Sequence, residues 1–252
     1  MRAAVSIGLA SPTAPAIIEA LAPRVERLGF SALWVNDLPE GDSLERLRTA
    51  ASVTESLGLA TGVIPLDRRP ADSLDLAGLP ASRTTIGIGS GRSRHPLGLV
   101  ERGIETLRAA TDASIAVGAL GPRMRRLAAE RADGVVLNWL TPRAALDAAT
   151  EQRDIATQAS VAQPRAVLYV RTIAEPAARP MLERDAARYE SVPSYAANFD
   201  RLGMRAIDAT ISGASDLPAF DVVDEIVLRA ITPTNSLAEL ERFVEETASW
   251  RS

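Results

Sequence analysis

The chain has 252 residues, of which 46% are hydrophobic and 24% charged, and a formal net charge of −4. That composition suits one large globular domain or two small ones, and it holds no basic tract of the kind a nucleic-acid surface needs. Cysteine and lysine are absent and His95 is the one histidine, which excludes disulfides, thiolate and Schiff-base chemistry and a multi-histidine metal site.

The opening residues, "MRAAVSIGLASPTAPAI", alternate like a strand over 3–9 and run into a helical stripe of Ile17, Ile18, Leu21, Val25 and Leu28. They do not read as a signal peptide, and no segment approaches the roughly 18 apolar residues of a membrane helix. The expectation is a cytoplasmic protein whose partner is a small-molecule substrate, with no nucleic acid, membrane or metal involved.

A second apolar run, "ALWVND" (32–37), precedes Leu44, Leu47 and Ala51. Its end, Asn36-Asp37, supplies an amide and a carboxylate for a polar ring edge or for proton transfer, yet Asn-Asp before Leu-Pro is also ordinary turn chemistry. The third run, "LATGVIPL" (59–66), has Gly62 inside a strand. A glycine there marks a bulge or a close approach by a ligand, or else a bend in the sheet.

The fourth run, "TTIGIGSG" (84–91), places Gly87, Gly89 and Gly91 on one bare face. Its G-x-G-x-G spacing fails the dinucleotide fingerprint, and a loop in need of positive φ explains the glycines as well as a ligand does. "RSRHP" follows, putting Arg92, Arg94 and His95 on one loop, either solvated or facing an anionic group.

The fifth run, "ASIAVGAL" (113–120), hands over to Gly121-Pro122-Arg123 and the stripe of Met124, Leu127, Ala128 and Ala132. Proline is favoured at a helix's first position, and the free N–H groups beside Arg123 suit a phosphate or carboxylate. Plain helix initiation, with Arg123, Arg125 and Arg126 solvated, explains the same residues.

The sixth run, "GVVLNW" (134–139), leads a helix to about residue 160, and the seventh is "AVLYVRTIA" (166–174). Residues 175–222, broken by Pro176, Pro180, Pro193 and Pro218, form a candidate lid. The last run, "EIVLRAIT" (225–232), precedes a helix opened by a Ser236/Glu239 capping box.

Eight strand–helix units of about 31 residues predict a complete single-domain (β/α)₈ TIM barrel over 1–252, with short loops; a doubly wound sheet is the alternative. Function then belongs at the C-terminal strand ends. Those are Asn36 and Asp37, 62–66, 89–95, 118–123, 138–141, Arg171 and Thr172, and 229–232.

Four stretches in this order, "VERLGFSALWVND", "LGLATGVIPLDRRP", "TTIGIGSGR" and "ALGPRMRRLAAERADGVVLNWLTP", resemble the bacterial luciferase-like monooxygenase superfamily, above all its coenzyme F420-dependent oxidoreductases. The resemblance implies a cis peptide at Gly62-Val63 beneath a flavin or deazaflavin ring, with Asn36 and Asp37 beside the ring. It further implies a ribityl and phosphate path along Gly89, Ser90 and Gly91, and a phosphate-side turn over Gly118, Ala119, Leu120, Gly121, Pro122 and Arg123. Asn138, at the sixth strand end, joins the same pocket. The implied activity is hydride transfer between coenzyme F420 and a small organic substrate, with Asp37 and His95 as catalytic candidates. FMN-dependent oxygenation or reduction is the alternative, and a non-catalytic barrel that has lost its cofactor is another. A homodimer is a frequent assembly of such proteins. The loop after the third strand and the join between the fourth helix, ending near Arg108, and the fifth strand, beginning near Ala113, are short for that superfamily, which implies a more open site.

Overall fold

A computed structural model describes residues 1–251. The strands are β1 (Ala4–Ala10), β2 (Ala32–Asn36), β3 (Gly58–Thr61), β4 (Ile64–Pro65), β5 (Thr84–Gly89), β6 (Ser114–Gly118), β7 (Gly134–Asn138), β8 (Arg165–Thr172), β9 (Thr210–Ile211) and β10 (Glu225–Ala230). All pairings are parallel, and β10 pairs with both β1 and β8, so the sheet closes. β3 and β4 are one barrel strand interrupted at Gly62-Val63, and β9 only extends the edge of β8. The result is the expected (β/α)₈ TIM barrel.

The helices are α1 (Pro15–Arg27), α2 (Ser43–Ser52), α3 (Pro96–Ala110), α4 (Pro122–Arg131), α5 (Pro142–Ala159), α6 (Arg179–Glu190), α7 (Pro193–Leu202) and α8 (Leu237–Ser249). Six of them start on proline or carry it in the first turn, where the ring costs no hydrogen bond. Asp42 caps α2 and the Ser236/Glu239 box caps α8. Among the described residues no helix is long and apolar enough to cross a membrane.

The main core lies between strands and helices, built on Ile7, Leu33, Leu59, Ile86, Ile115, Val135, Leu168 and Ile226. Alternation sends their neighbours inward. Trp34, Ala60, Ala116, Val136, Val167, Tyr169 and Val227 therefore fill the barrel itself. At the foot of this interior Glu225, 2% exposed, accepts hydrogen bonds from Ser6 Oγ (2.5 Å) and Trp34 Nε1 (2.7 Å).

Within 175–222, α6 and α7 lie against the end of β7. Their Ala186 and Phe199 enclose Trp139, and Tyr189 and Tyr195 pack beside it. The candidate lid is thus a folded helical pair, anchored on one side of the mouth.

Candidate active site at the barrel mouth

The uppermost inward residues form a ring: Asn36 from β2, Val63 from the break between β3 and β4, Gly89, Gly118, Asn138, Arg171 from β8 and Arg229 from β10. Val63 is the pivot of its bare half. A Cβ on Gly89 would lie 2.9 Å from Val63 Cγ2, and one on Gly118 3.0 Å from it. One on Gly87 would lie 2.0 Å from the Thr61 carbonyl oxygen. The alternating glycines therefore make room for the broken strand and the Val63 side chain. Of Gly87, Gly89 and Gly91, only Gly91 adopts positive φ, at 57°, where the Asp67 carboxylate packs against it and accepts from the Arg92 amide at 2.8 Å.

The Gly62-Val63 peptide is cis. The Asn36 side-chain amide donates to the Gly62 carbonyl, and Tyr169 lies so close behind Gly62 that a Cβ there would sit 2.2 Å from its hydroxyl. Val63 stays partly exposed at the mouth, as do Asn36, Gly118, Leu120, Asn138 and Arg229.

The other half of the ring is cationic. Arg229 Nε donates to Asn36 Oδ1 at 3.0 Å, and its NH1 donates to the Ala230 carbonyl. Arg171 is 3% exposed; it donates to Asn138 Oδ1 and reaches Asp185 Oδ2 of α6 at 3.2 Å. Its guanidinium stacks 4.1 Å above the Trp139 ring. Burial and the neighbouring Arg171 both pull Arg229 below the usual guanidinium range. Burial alone would raise Asp185, but Arg171 and Arg188 outweigh it and hold it below the usual carboxylate range. Burial, then the Tyr189 hydroxyl, push Tyr195 up to about 12, so it stays a neutral partner of Asn138 Nδ2 at 3.3 Å. Burial also raises Tyr169, whose hydroxyl has no hydrogen-bond partner among the described residues.

Neither catalytic candidate is hydrogen-bonded to the mouth ring, and for Asp37 the structure shows another role. Because Asn36 points inward, Asp37 points outward. Its side chain is fully buried, paired with Arg68 at 2.5 Å and Arg69 at 2.6 Å, and it accepts from Ser43 Oγ at 2.8 Å. It has no oxygen free to move a proton; it fastens β2 to the loop after β4 and to α2. Asp37→Ala is therefore expected to lower stability by about 3 kcal/mol, the cost of leaving a buried charged network unpaired. Urea unfolding checks this. His95 is exposed at the start of α3, its ring without a hydrogen bond among the described residues.

The phosphate-side turn is more open. Gly121 caps α4 in an extended conformation with no side-chain cap, and a Cβ there would meet nothing within 4 Å. Pro122 and Arg123 are exposed, and Arg123 has no ion pair among the described residues. Ala119 is buried, its amide donating to the Val136 carbonyl at 3.0 Å, while Ser90 is half-buried. Arg125 is not solvated as expected: it is 8% exposed and pairs with Glu151 at 2.7 Å.

The residues present fit a flat ring with an anionic tail at two points, the exposed face of Val63 and the uncapped start of α4. They oppose it at one, because the Asp67 carboxylate already fills the Gly91 turn. Two surface depressions, about 360 Å³ beside α8 and about 610 Å³ between α4 and α5, touch none of the mouth residues. Arg171 and Arg229 stand at strand ends that the barrel singles out, but no role follows for them from sequence. The one signal is a charge inside an otherwise apolar strand.

No family model matches the sequence, and no curated protein matches it. Solved structures do. An F420-dependent secondary alcohol dehydrogenase in complex with an F420-acetone adduct superposes with a TM-score of 0.75 at 11% identity, covering 98% of this chain and 99% of that one. The coenzyme F420-dependent tetrahydromethanopterin reductase from Methanopyrus kandleri gives 0.71 at 16% identity, covering 98% of each. The oxygenating constituent of 3,6-diketocamphane monooxygenase from Pseudomonas putida, in complex with FMN, gives 0.71 at 12% identity, covering 97% of each. At these identities the likeness is one of fold: the chain shares the barrel architecture of these three proteins over 97–98% of its length.

Proposed function

We propose that the protein is an oxidoreductase that holds a deazaflavin or flavin at the barrel mouth, with coenzyme F420 placed ahead of FMN. The observation that carries this reading is the broken third strand. At that break the Gly62 carbonyl accepts from the Asn36 side-chain amide, and the partly exposed Val63 side chain stands as a platform beside the uncapped α4 terminus. The bound cofactor would supply hydride transfer at its ring face. The chain's own contribution is positional. Val63 backs the ring, the α4 N–H groups and Arg123 take the phosphate, and the Asn36, Asn138 and Arg229 wall orients polar groups on the far side.

A second reading, a binding or accessory barrel without a cofactor, is favoured by one observation. Asp67 places a negative charge in the Gly91 turn where a phosphate path would run. The two readings separate in a fluorescence-quenching titration of the purified protein with coenzyme F420 and, separately, FMN. Saturable micromolar binding of one supports the redox reading and names its cofactor; binding of neither removes it. Arg123→Ala is expected to weaken that binding about tenfold, the value of one charge-assisted contact. It should leave the melting temperature unchanged, because Arg123 is exposed and makes no ion pair among the described residues.

A further inference from the structure

Arg229 and Arg171 are direct cross-strand neighbours on β10 and β8, and both point into the mouth. Parallel strands lie about 4.8 Å apart, so two like charges meet on one face, an arrangement that is unfavourable unless an anion answers it. The protein answers only half of it. Asp185 pairs with Arg171 at 3.2 Å and is itself shared with Arg188 at 2.7 Å, whose side chain is 62% exposed and solvated. Arg229 has no carboxylate within ion-pair distance among the described residues. Its neighbour on β1 is Gly8, and its hydrogen bonds go to the Asn36 amide oxygen and the Ala230 carbonyl. One layer below, the 2%-exposed Tyr169 hydroxyl has no partner.

We infer that the mouth is built to receive the carboxylate of an organic acid, held by the Arg229 guanidinium, whose NH2 has no partner among the described residues while Nε and NH1 are engaged. Inside the mouth, with the solvated Arg188 left to water, two guanidinium groups against Asp185 leave one net positive charge, which a monoanion neutralises and a phosphate dianion would over-compensate. The unengaged Arg229 NH2 gives a carboxylate oxygen a charge-assisted donor. A phosphate-bearing tail has its own place at α4, across the barrel on the β6 side. The mouth acid is therefore the substrate, and the substrate class under the redox reading is a carboxylic acid. Only that last step rests on the redox reading; the anion site itself is tested without any cofactor.

The test is calorimetric titration of the cofactor-free protein with benzoate, acetate and inorganic phosphate in a low-chloride buffer at pH 7. A monocarboxylate is expected to bind one to one and more tightly than phosphate. Arg229→Met should weaken it at least tenfold, while Arg143→Ala, an exposed arginine on α5, binds as the parent does. Asp185→Asn guards against a variant that merely misfolds: it frees Arg171 and should tighten carboxylate binding several-fold, the opposite of structural damage. Absence of saturable binding, tighter binding of phosphate, or affinity unmoved by Arg229→Met overturns the inference. So does weaker binding in a folded Asp185→Asn. Because the redox reading is decided by cofactor titration, the two fail in different measurements.

Discussion

Gly87→Ala is expected to lower the unfolding free energy by about 3 kcal/mol, the upper end for overpacking a filled interior. The new methyl would sit 2.0 Å from the Thr61 carbonyl oxygen and 3.2 Å from Val63 Cγ1. The first of these is backbone, so no side chain can turn aside to relieve it. Thr61 is further tied to the same residue, its hydroxyl donating to the Gly87 carbonyl at 2.9 Å and accepting from the Gly87 amide at 2.8 Å. Movement of β5 would therefore pull on the break in the third strand and on Val63. The expected result is a lower urea midpoint together with loss of ring binding. Gly98→Ala, on the first turns of α3, gives the contrast. Its methyl would approach only the flexible Arg102 side chain, at 3.3 Å, and helix propensity should raise stability by roughly 0.5 kcal/mol. Equal effects of the two substitutions would contradict the packing account.

The second large effect belongs to the foot of the barrel. Glu225→Ala is expected to cost about 3 kcal/mol, since it opens a cavity and leaves two buried donors, Ser6 Oγ and Trp34 Nε1, unpaired. Glu225→Gln keeps an acceptor for both and should cost roughly half as much, losing the charge that strengthens these bonds. Trp34→Phe removes one donor and spares the other, so the loss on combining it with Glu225→Ala should fall short of the sum. Strict additivity in that double-mutant cycle would show that the two side chains do not act through each other.

The barrel was legible because parallel strands covered by helices read as apolar runs at a regular interval, and seven of the eight are observed as single strands. The third is split, and Gly62 marked the place. β9 escaped detection because two residues, Thr210 and Ile211, have no periodicity to show; they are a strand only through pairing with Arg171 and Thr172. The two helices within 175–222 share one proline-broken stretch of sequence, in which Pro193 is the visible signal of the second start.

The site was legible in its backbone more than in its side chains. Glycines at strand ends point to crowding whatever causes it, and here the cause is mostly Val63 and Thr61 within the chain. The sequence does not show which way Asp37 faces, because the side that a strand-end residue takes depends on register, and one position separates the mouth from the outer wall. The arginine pair could not be foreseen as a pair. It needs Arg229 set beside Arg171 across strands 58 residues apart in sequence, with Asp185 brought back by a helix whose docking only the fold supplies.

The central claim is that the broken third strand and the start of α4 hold one redox cofactor between them. A crystal structure of the protein at a saturating concentration of whichever cofactor binds in titration tests this most directly. The account predicts the ring lying against Val63 and the phosphate at the Gly121–Arg123 turn. Density for the cofactor on an outer helical surface, with Val63 and Gly121 untouched, would contradict it.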